Sequence, residues 1–200
     1  MNTTLIVGLT GGIGSGKSSI SKYLIDKGIP VFDADFCSKQ ILQPGQVAFD
    51  DVVKVFGENI LLGNGCIDRK KLADIVFKDD KQLKILEDIQ YKRIWQQFQE
   101  FIKYFKAKQE RLIVLDAPLL IESGWWQYMN AVWLVHITES EQIKRVSERD
   151  KLDITQIKQR IRAQLPFVEK QKFATDIIDN SGTLSATFKQ VEMLLTKYKK

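Results

Sequence analysis

The chain has 200 residues and a formal net charge of +5, from 30 basic and 25 acidic side chains. Hydrophobic residues make up 44% and charged residues 28%, a composition that excludes a fibrous or disordered protein. The basic excess favours anionic partners but is too small to indicate a nucleic-acid-binding protein.

The amino-terminal residues 1–9 contain no basic segment and no cleavage site, so they do not resemble a signal peptide. No later stretch has the roughly 18 apolar residues that a membrane-spanning helix needs. Cys37 and Cys66 are isolated, which favours reduced thiols over a disulfide framework or a zinc site. We therefore expect a cytoplasmic protein that does not associate with membranes and shows no sign of an obligate protein partner.

A β-α-β unit is predicted at the start of the chain. Residues 5–9 are a short apolar run, typical of a strand buried on both faces of a parallel sheet. The helix is expected to begin after Gly16 and to end near Gly28. A second short strand then follows at Val31 and Phe32.

The rest of the chain alternates between strand and helix patterns. Strands are predicted at residues 112–115, 131–136 and 177–178, with a last amphipathic helix over residues 184–198. Residues 36–109 carry helical patterns and predict a helical insertion. We therefore expect an α/β fold in three layers, built on five parallel strands.

The sequence Gly11-x4-Gly16-Lys17-Ser18 matches the Walker A pattern of a P-loop and lies between a predicted strand and a predicted helix. Glycines allow successive backbone N–H groups to converge on phosphate oxygens, and the helix amino terminus adds positive charge. A glycine-rich turn without a ligand is the alternative. The residues predicted to bind a nucleoside triphosphate here are Gly12, Ile13, Gly14, Ser15, Gly16, Lys17, Ser18 and Ser19.

Two acids, Asp33 and Asp35, follow the second strand, at the strand end where open α/β sheets place their ligands. Either carboxylate could accept a proton from an attacking hydroxyl or orient it during phosphoryl transfer. Asp35 could instead cap the following helix. We therefore take Asp33 as the catalytic candidate.

Asp116 ends the third strand, where P-loop enzymes carry the acid that holds Mg²⁺ directly or through water. The Ser18 hydroxyl is expected to complete the metal coordination. The alternative for Asp116 is a turn residue before Pro118. Glu122 is a weaker candidate for positioning a substrate.

Arg145 and Arg149 lie four residues apart on a predicted helix and therefore project from one face. Such a pair can hold phosphates and offset charge in a transition state, although helical surface arginines are often only solvated. Arg160 and Arg162 on the next helix have the same two interpretations. His136 ends a strand that looks buried, which favours a structural role.

Taken together, these segments resemble the dephospho-CoA kinase family over nearly the whole chain. Thr10 before the P-loop glycines is itself characteristic, whereas the bare Walker A spacing occurs in many unrelated enzymes. The matching segments are residues 9–18, Asp33-Ala34-Asp35, Pro118-Leu119-Leu120-Ile121-Glu122, Gln142-x2-Arg145-x3-Arg149-Asp150, Arg160-Ile161-Arg162-Ala163-Gln164 and Ile178-Asp179-Asn180-Ser181-Gly182.

This resemblance implies transfer of the γ-phosphoryl group of ATP to the ribose 3′-hydroxyl of dephospho-CoA, the last step of coenzyme A synthesis. It implies a P-loop kinase fold in one domain, with an acceptor-binding insertion over residues 36–109 and a lid over about 139–166. Lys17, Asp33, Arg145 and Arg149 would be catalytic, and Asn180 would lie near the adenine of ATP.

The chain departs from the family pattern in one place that concerns the acceptor. Members commonly carry a His-Pro pair in the insertion, where this chain has Gln90 and Tyr91. A kinase for another nucleotide or small hydroxyl compound remains a second interpretation, because only the acceptor site would differ. A P-loop switch or nucleic-acid-associated NTPase is a third, but the chain lacks the guanine-reading Asn-Lys-x-Asp motif.

Overall fold

A computed structural model describes residues 4–198 and contains one five-stranded sheet in this part of the chain. Every neighbouring pair of strands is parallel, and the order across the sheet is β2-β3-β1-β4-β5. The expected α/β fold with five parallel strands is therefore confirmed. The strands are β1 (Leu5–Gly11), β2 (Val31–Asp33), β3 (Leu112–Asp116), β4 (Ala131–His136) and β5 (Asp176–Asp179).

Two of the helices between the strands begin after an aspartate whose side chain caps them. Asp68 accepts hydrogen bonds from two backbone N–H groups of α4, and Asp153 forms a capping box with Gln156 at α7. No helix of residues 4–198 is long and apolar enough to cross a membrane. The helices are α1 (Lys17–Asp26), α2 (Ala34–Gln40), α3 (Val47–Phe56), α4 (Arg69–Val76), α5 (Asp80–Ala107), α6 (Glu139–Asp150), α7 (Ile154–Arg162), α8 (Phe167–Gln171) and α9 (Leu184–Tyr198).

The chain divides into two compact units. The first comprises Met1–Asp33 with Ile102–Lys200, and the second comprises Ala34–Phe101. The first unit holds the sheet, and its core joins alternate strand residues to the apolar faces of α1 and α9. Trp133 on β4 is the largest side chain that this core buries completely.

The second unit is helical and has a core of its own. That core is built from α3, α4, the early part of α5 and a 3-10 turn at Glu58–Ile60. A separate apolar core indicates that this unit buries its hydrophobic surface within itself. Its buried members are Val52, Ile60, Ile67, Leu72, Val76 and Leu86.

Candidate active site

The P-loop connects the end of β1 to the start of α1. Gly14 and Gly16 adopt left-handed backbone conformations, with φ of 74° and 85°. These conformations favour glycine because it has no Cβ. Gly16 is also the N-cap of α1 and has no side chain to bond the first N–H groups of the helix. Those N–H groups and the positive end of the helix dipole are consequently available to an anion.

Asp116 lies at the end of β3, almost completely buried beside the first turn of α1. Its Oδ1 pairs with the Lys17 ammonium, and its Oδ2 accepts a hydrogen bond from the Ser21 hydroxyl. Ser21 is one turn beyond Lys17 on the same helix, so both side chains face the carboxylate. The predicted P-loop lysine and the predicted strand-end acid are therefore brought together.

Asp33 ends β2, the strand next to β3. Its Cα is in register with that of Asp116, so the two acids lie side by side at the carboxyl edge of the sheet. Asp33 is exposed, whereas Asp116 is only 3% exposed. Asp35 lies inside the first turn of α2 rather than at an N-cap position. Asp33, at the end of β2, is therefore the one of the two candidate acids that lies in register with Asp116.

Asn180 is buried directly behind the P-loop. Its Nδ2 donates to the Ser15 carbonyl at 2.7 Å, and its Oδ1 accepts from the Thr187 hydroxyl at 2.7 Å. A Cβ on Gly16 would lie only 2.1 Å from the same Nδ2. The amide thus supports the loop from behind.

The two candidate arginines of α6 have different surroundings. Arg145 donates to Glu141 at 3.1 Å and to the Asn180 carbonyl at 2.9 Å, which places it against the segment that supports the P-loop. Arg149 is largely exposed and donates through two nitrogens to Asp150, at 2.7 and 2.9 Å. This pairing raises the pKa of the Arg149 guanidinium and lowers the pKa of the Asp150 carboxyl. Only Arg145 contacts the P-loop support.

Several contacts at the loop were not predicted from sequence. Gln142 and Gln164 both bond the main chain of Ile13, and buried Lys170 forms an ion pair with Glu122 at 2.9 Å. Both glutamines lie in segments that match the family pattern. Their contacts with Ile13 were not predicted, because these contacts join residues that are far apart in sequence. Ser21 carried a usable signal, since it follows Lys17 at the spacing of one helical turn.

His136 ends β4 beside a cavity of about 70 Å³. Its ring packs on Phe167 at 4.0 Å between centroids, and its Nδ1 is buried with no hydrogen-bond partner in the described part of the chain. The structural role of this histidine stays a prediction. Other residues that line the cavity are Gly12, Gln142, Ile161, Gln164 and Lys170.

A glycine-rich loop between a parallel strand and a helix, with an acid at the end of the adjacent strand, defines the class of P-loop nucleotide-binding proteins, to which P-loop kinases belong. The model of the dephospho-CoA kinase family matches residues 5–186. The chain is 42% identical to the dephospho-CoA kinase of Shouchella clausii, covering 96% of this chain and 97% of that protein. It is 40% identical to the dephospho-CoA kinase of Carboxydothermus hydrogenoformans, covering 97% of this chain and 94% of that protein.

A solved dephospho-CoA kinase from Campylobacter jejuni superposes with a TM-score of 0.73 at 26% identity, covering 98% of each chain. The similarity therefore extends over sequence and fold alike and includes both compact units. The chain belongs to the dephospho-CoA kinase family.

Proposed function

We propose that this chain transfers the γ-phosphoryl group of ATP to the ribose 3′-hydroxyl of dephospho-CoA and so forms coenzyme A. The observation that carries the proposal is the arrangement of Lys17, Asp116 and Asp33 along one sheet edge, in a chain of this family. Phosphoryl transfer depends mainly on positioning and on stabilising charge, and these residues supply both.

Lys17 has a direct part in binding the phosphates. Its ammonium neutralises the buried Asp116 carboxylate. When ATP binds, the ammonium moves to the β- and γ-phosphate oxygens, while N–H groups of Gly14 to Ser19 hold the phosphate chain. These donors offset the charge that develops on the transferred group.

Mg²⁺ fits the residues at this edge. Among residues 4–198, no group of three or more His, Cys, Asp or Glu side chains could hold a metal ion. Mg²⁺ does not need such a group, because it commonly binds one or two protein oxygens together with substrate phosphates and water. The Ser18 hydroxyl and the Asp116 carboxylate would hold it once Lys17 has turned to the phosphates. The bound ion would neutralise phosphate charge.

Asp33 serves the acceptor. Its exposed carboxylate orients the attacking 3′-hydroxyl and accepts the hydroxyl proton as the new oxygen–phosphorus bond forms and the bond to the ADP oxygen breaks. Arg145 and Arg149 belong to the proposed lid, residues 139–166, and offset phosphate charge there. Arg149 must first exchange its Asp150 partner for phosphate.

The acceptor is bound by the insertion, residues 36–109, in this proposal. Gln90 and Tyr91 replace the family's usual His-Pro pair there, so any acceptor contact at this position uses a different side chain. Asn180, which supports Ser15, is also proposed to lie near the adenine. The enzyme is proposed to act in the cytoplasm without nucleic acid or an obligate protein partner.

The proposal is tested by supplying ATP and Mg²⁺ with dephospho-CoA, AMP, TMP or shikimate and measuring ADP release. We expect turnover to rise sharply with dephospho-CoA alone, and equal rates with all acceptors would overturn the assignment. Asp33→Asn should lower kcat by at least about 10², the lower range for general acid–base catalysis. Asp35→Asn removes the same charge two residues away and is the matched control, expected to retain wild-type kcat.

A further inference from the structure

Ile13, in the middle of the P-loop, has both of its main-chain polar groups bonded by glutamine side chains. Its N–H donates to Gln164 Oε1 at 2.8 Å, and its carbonyl accepts from Gln142 Nε2 at 3.0 Å. The N–H and the carbonyl belong to successive peptide planes, so the two bonds fix the loop on both sides of Ile13.

Close approach of Gln142 requires the glycine that precedes Ile13. A Cβ on Gly12 would lie 2.5 Å from Gln142 Nε2 and 3.7 Å from Gln164 Oε1. Any other residue at this position would push the Gln142 amide away. The absence of a side chain at Gly12 therefore leaves room for the Gln142 amide to reach the loop.

The segment that carries Gln164 is itself held in place. The N–H of Leu165 donates to Glu122 at 3.1 Å, and Glu122 is paired with buried Lys170. Lys170 also donates to the Pro118 carbonyl at 3.1 Å, which accepts from the Thr10 hydroxyl just before the P-loop at the same distance. Gln164 consequently approaches Ile13 from a fixed position.

We infer that Gln142 and Gln164 are positioning residues that hold the P-loop in the shape required to receive phosphate. Neither needs to touch the nucleotide, because both act through the main chain of Ile13. They also join the loop to α6 and to the end of α7, so the position of these helices and the geometry of the loop depend on each other. The inference rests on the proposed use of the P-loop for ATP.

Gln164 accepts a hydrogen bond through its amide oxygen, whereas Gln142 donates one through its amide nitrogen. Replacing each by glutamate therefore tests the two hydrogen bonds separately. Gln164→Glu keeps an oxygen that accepts the Ile13 N–H, whereas Gln142→Glu replaces the donor with an acceptor facing the Ile13 carbonyl. Each variant adds one negative charge near the same loop residue, so the added repulsion of phosphate is matched. A difference between them therefore reports the hydrogen bond.

We expect the Kd for ADP, measured by titration calorimetry, to be about tenfold higher for Gln142→Glu than for Gln164→Glu. A factor of about ten corresponds to the loss of one hydrogen bond that leaves the Ile13 carbonyl facing another acceptor. The value of kcat with dephospho-CoA should fall in the same order. Gln171→Glu, an exposed change at the end of α8 and outside the proposed lid, is the control and should leave both constants unchanged.

Equal Kd values for the two Glu variants would overturn the inference. If Gln142→Glu lowers the thermal midpoint, Gln142→Met removes the donor without adding charge, and a wild-type Kd for that variant would also overturn it. A wild-type enzyme that does not phosphorylate dephospho-CoA would refute the proposed function instead. The ADP titrations would still decide the role of the glutamines.

Discussion

At the scale of single residues, Gly16 meets two demands at once. Its φ of 85° lies in the left-handed region, and a Cβ there would collide with the Asn180 amide. We expect Gly16→Ala to lower the free energy of unfolding by at least about 1–2 kcal/mol, the penalty for a left-handed non-glycine residue. It should also raise the Kd for ADP at least about tenfold, because the Asn180 bond to Ser15 is displaced.

Gly28 provides the matched control for that prediction. Its φ is 74°, but a Cβ there would meet nothing within 4 Å. Gly28→Ala should therefore show the loss of stability in urea unfolding with an unchanged Kd for ADP. If the two variants bound ADP equally well, the contact between Gly16 and Asn180 would have no part in nucleotide binding.

The glycine spacing and the strand-end position of Asp116 predicted a P-loop with an acid beside it, and the structure brings Asp116 to Lys17. The same sequence did not predict that Gln142 and Gln164 meet at Ile13. A hydrogen bond between residues separated by most of the chain depends on how the helices pack. Helical periodicity does not predict that packing, because it indicates only which face of a helix is apolar. The buried pairing of Lys170 was missed for the same reason.

At the scale of elements, α8 is attached through Lys170 to the segment that follows β3, where Lys170 contacts Pro118 and Glu122 and is only 1% exposed. Lys170→Met would leave the Glu122 carboxylate unpaired in a mostly buried place, and one of its oxygens already lacks a hydrogen-bond partner within residues 4–198. We expect a loss of about 3 kcal/mol in the free energy of unfolding, measured in urea.

Two further variants check that prediction. Lys170→Met combined with Glu122→Gln should recover part of the loss, since the uncompensated charge is removed. Lys172→Met breaks an exposed pair with Glu169 on the same helix and should cost less than about 1 kcal/mol. Simple additivity of the Lys170 and Glu122 effects would contradict a coupled pair.

Long, regular elements were predicted best. β4 and α9 have the bounds that their apolar patterns indicated, and β2 and β5 extend beyond the predicted residues. The short helix α8 was not predicted, because five residues are too few to display a period of 3.6. The sequence also did not predict the order of the strands in the sheet, because the apolar pattern of a buried strand does not specify which strands lie beside it.

At the scale of the whole molecule, the residues proposed to bind nucleotide all belong to the first unit. ADP at 100 times its Kd should stabilise this unit by about 2.7 kcal/mol. We expect hydrogen exchange to slow in β1, α1 and β5 on adding ADP, while α3 and α4 in the second unit keep their rates. Equal protection in both units would show that the nucleotide also acts on the second unit.

The central position of β1 affects how the chain is made. Leu5 pairs with Leu112, so the first strand to leave the ribosome has no parallel neighbour until β3 is synthesised. At typical translation speeds this delay is on the order of 5–20 s. The whole of Ala34–Phe101, with its own apolar core, emerges during that interval. The helical unit can therefore fold first on the ribosome, while the apolar β1 stays unpaired and accessible to chaperones.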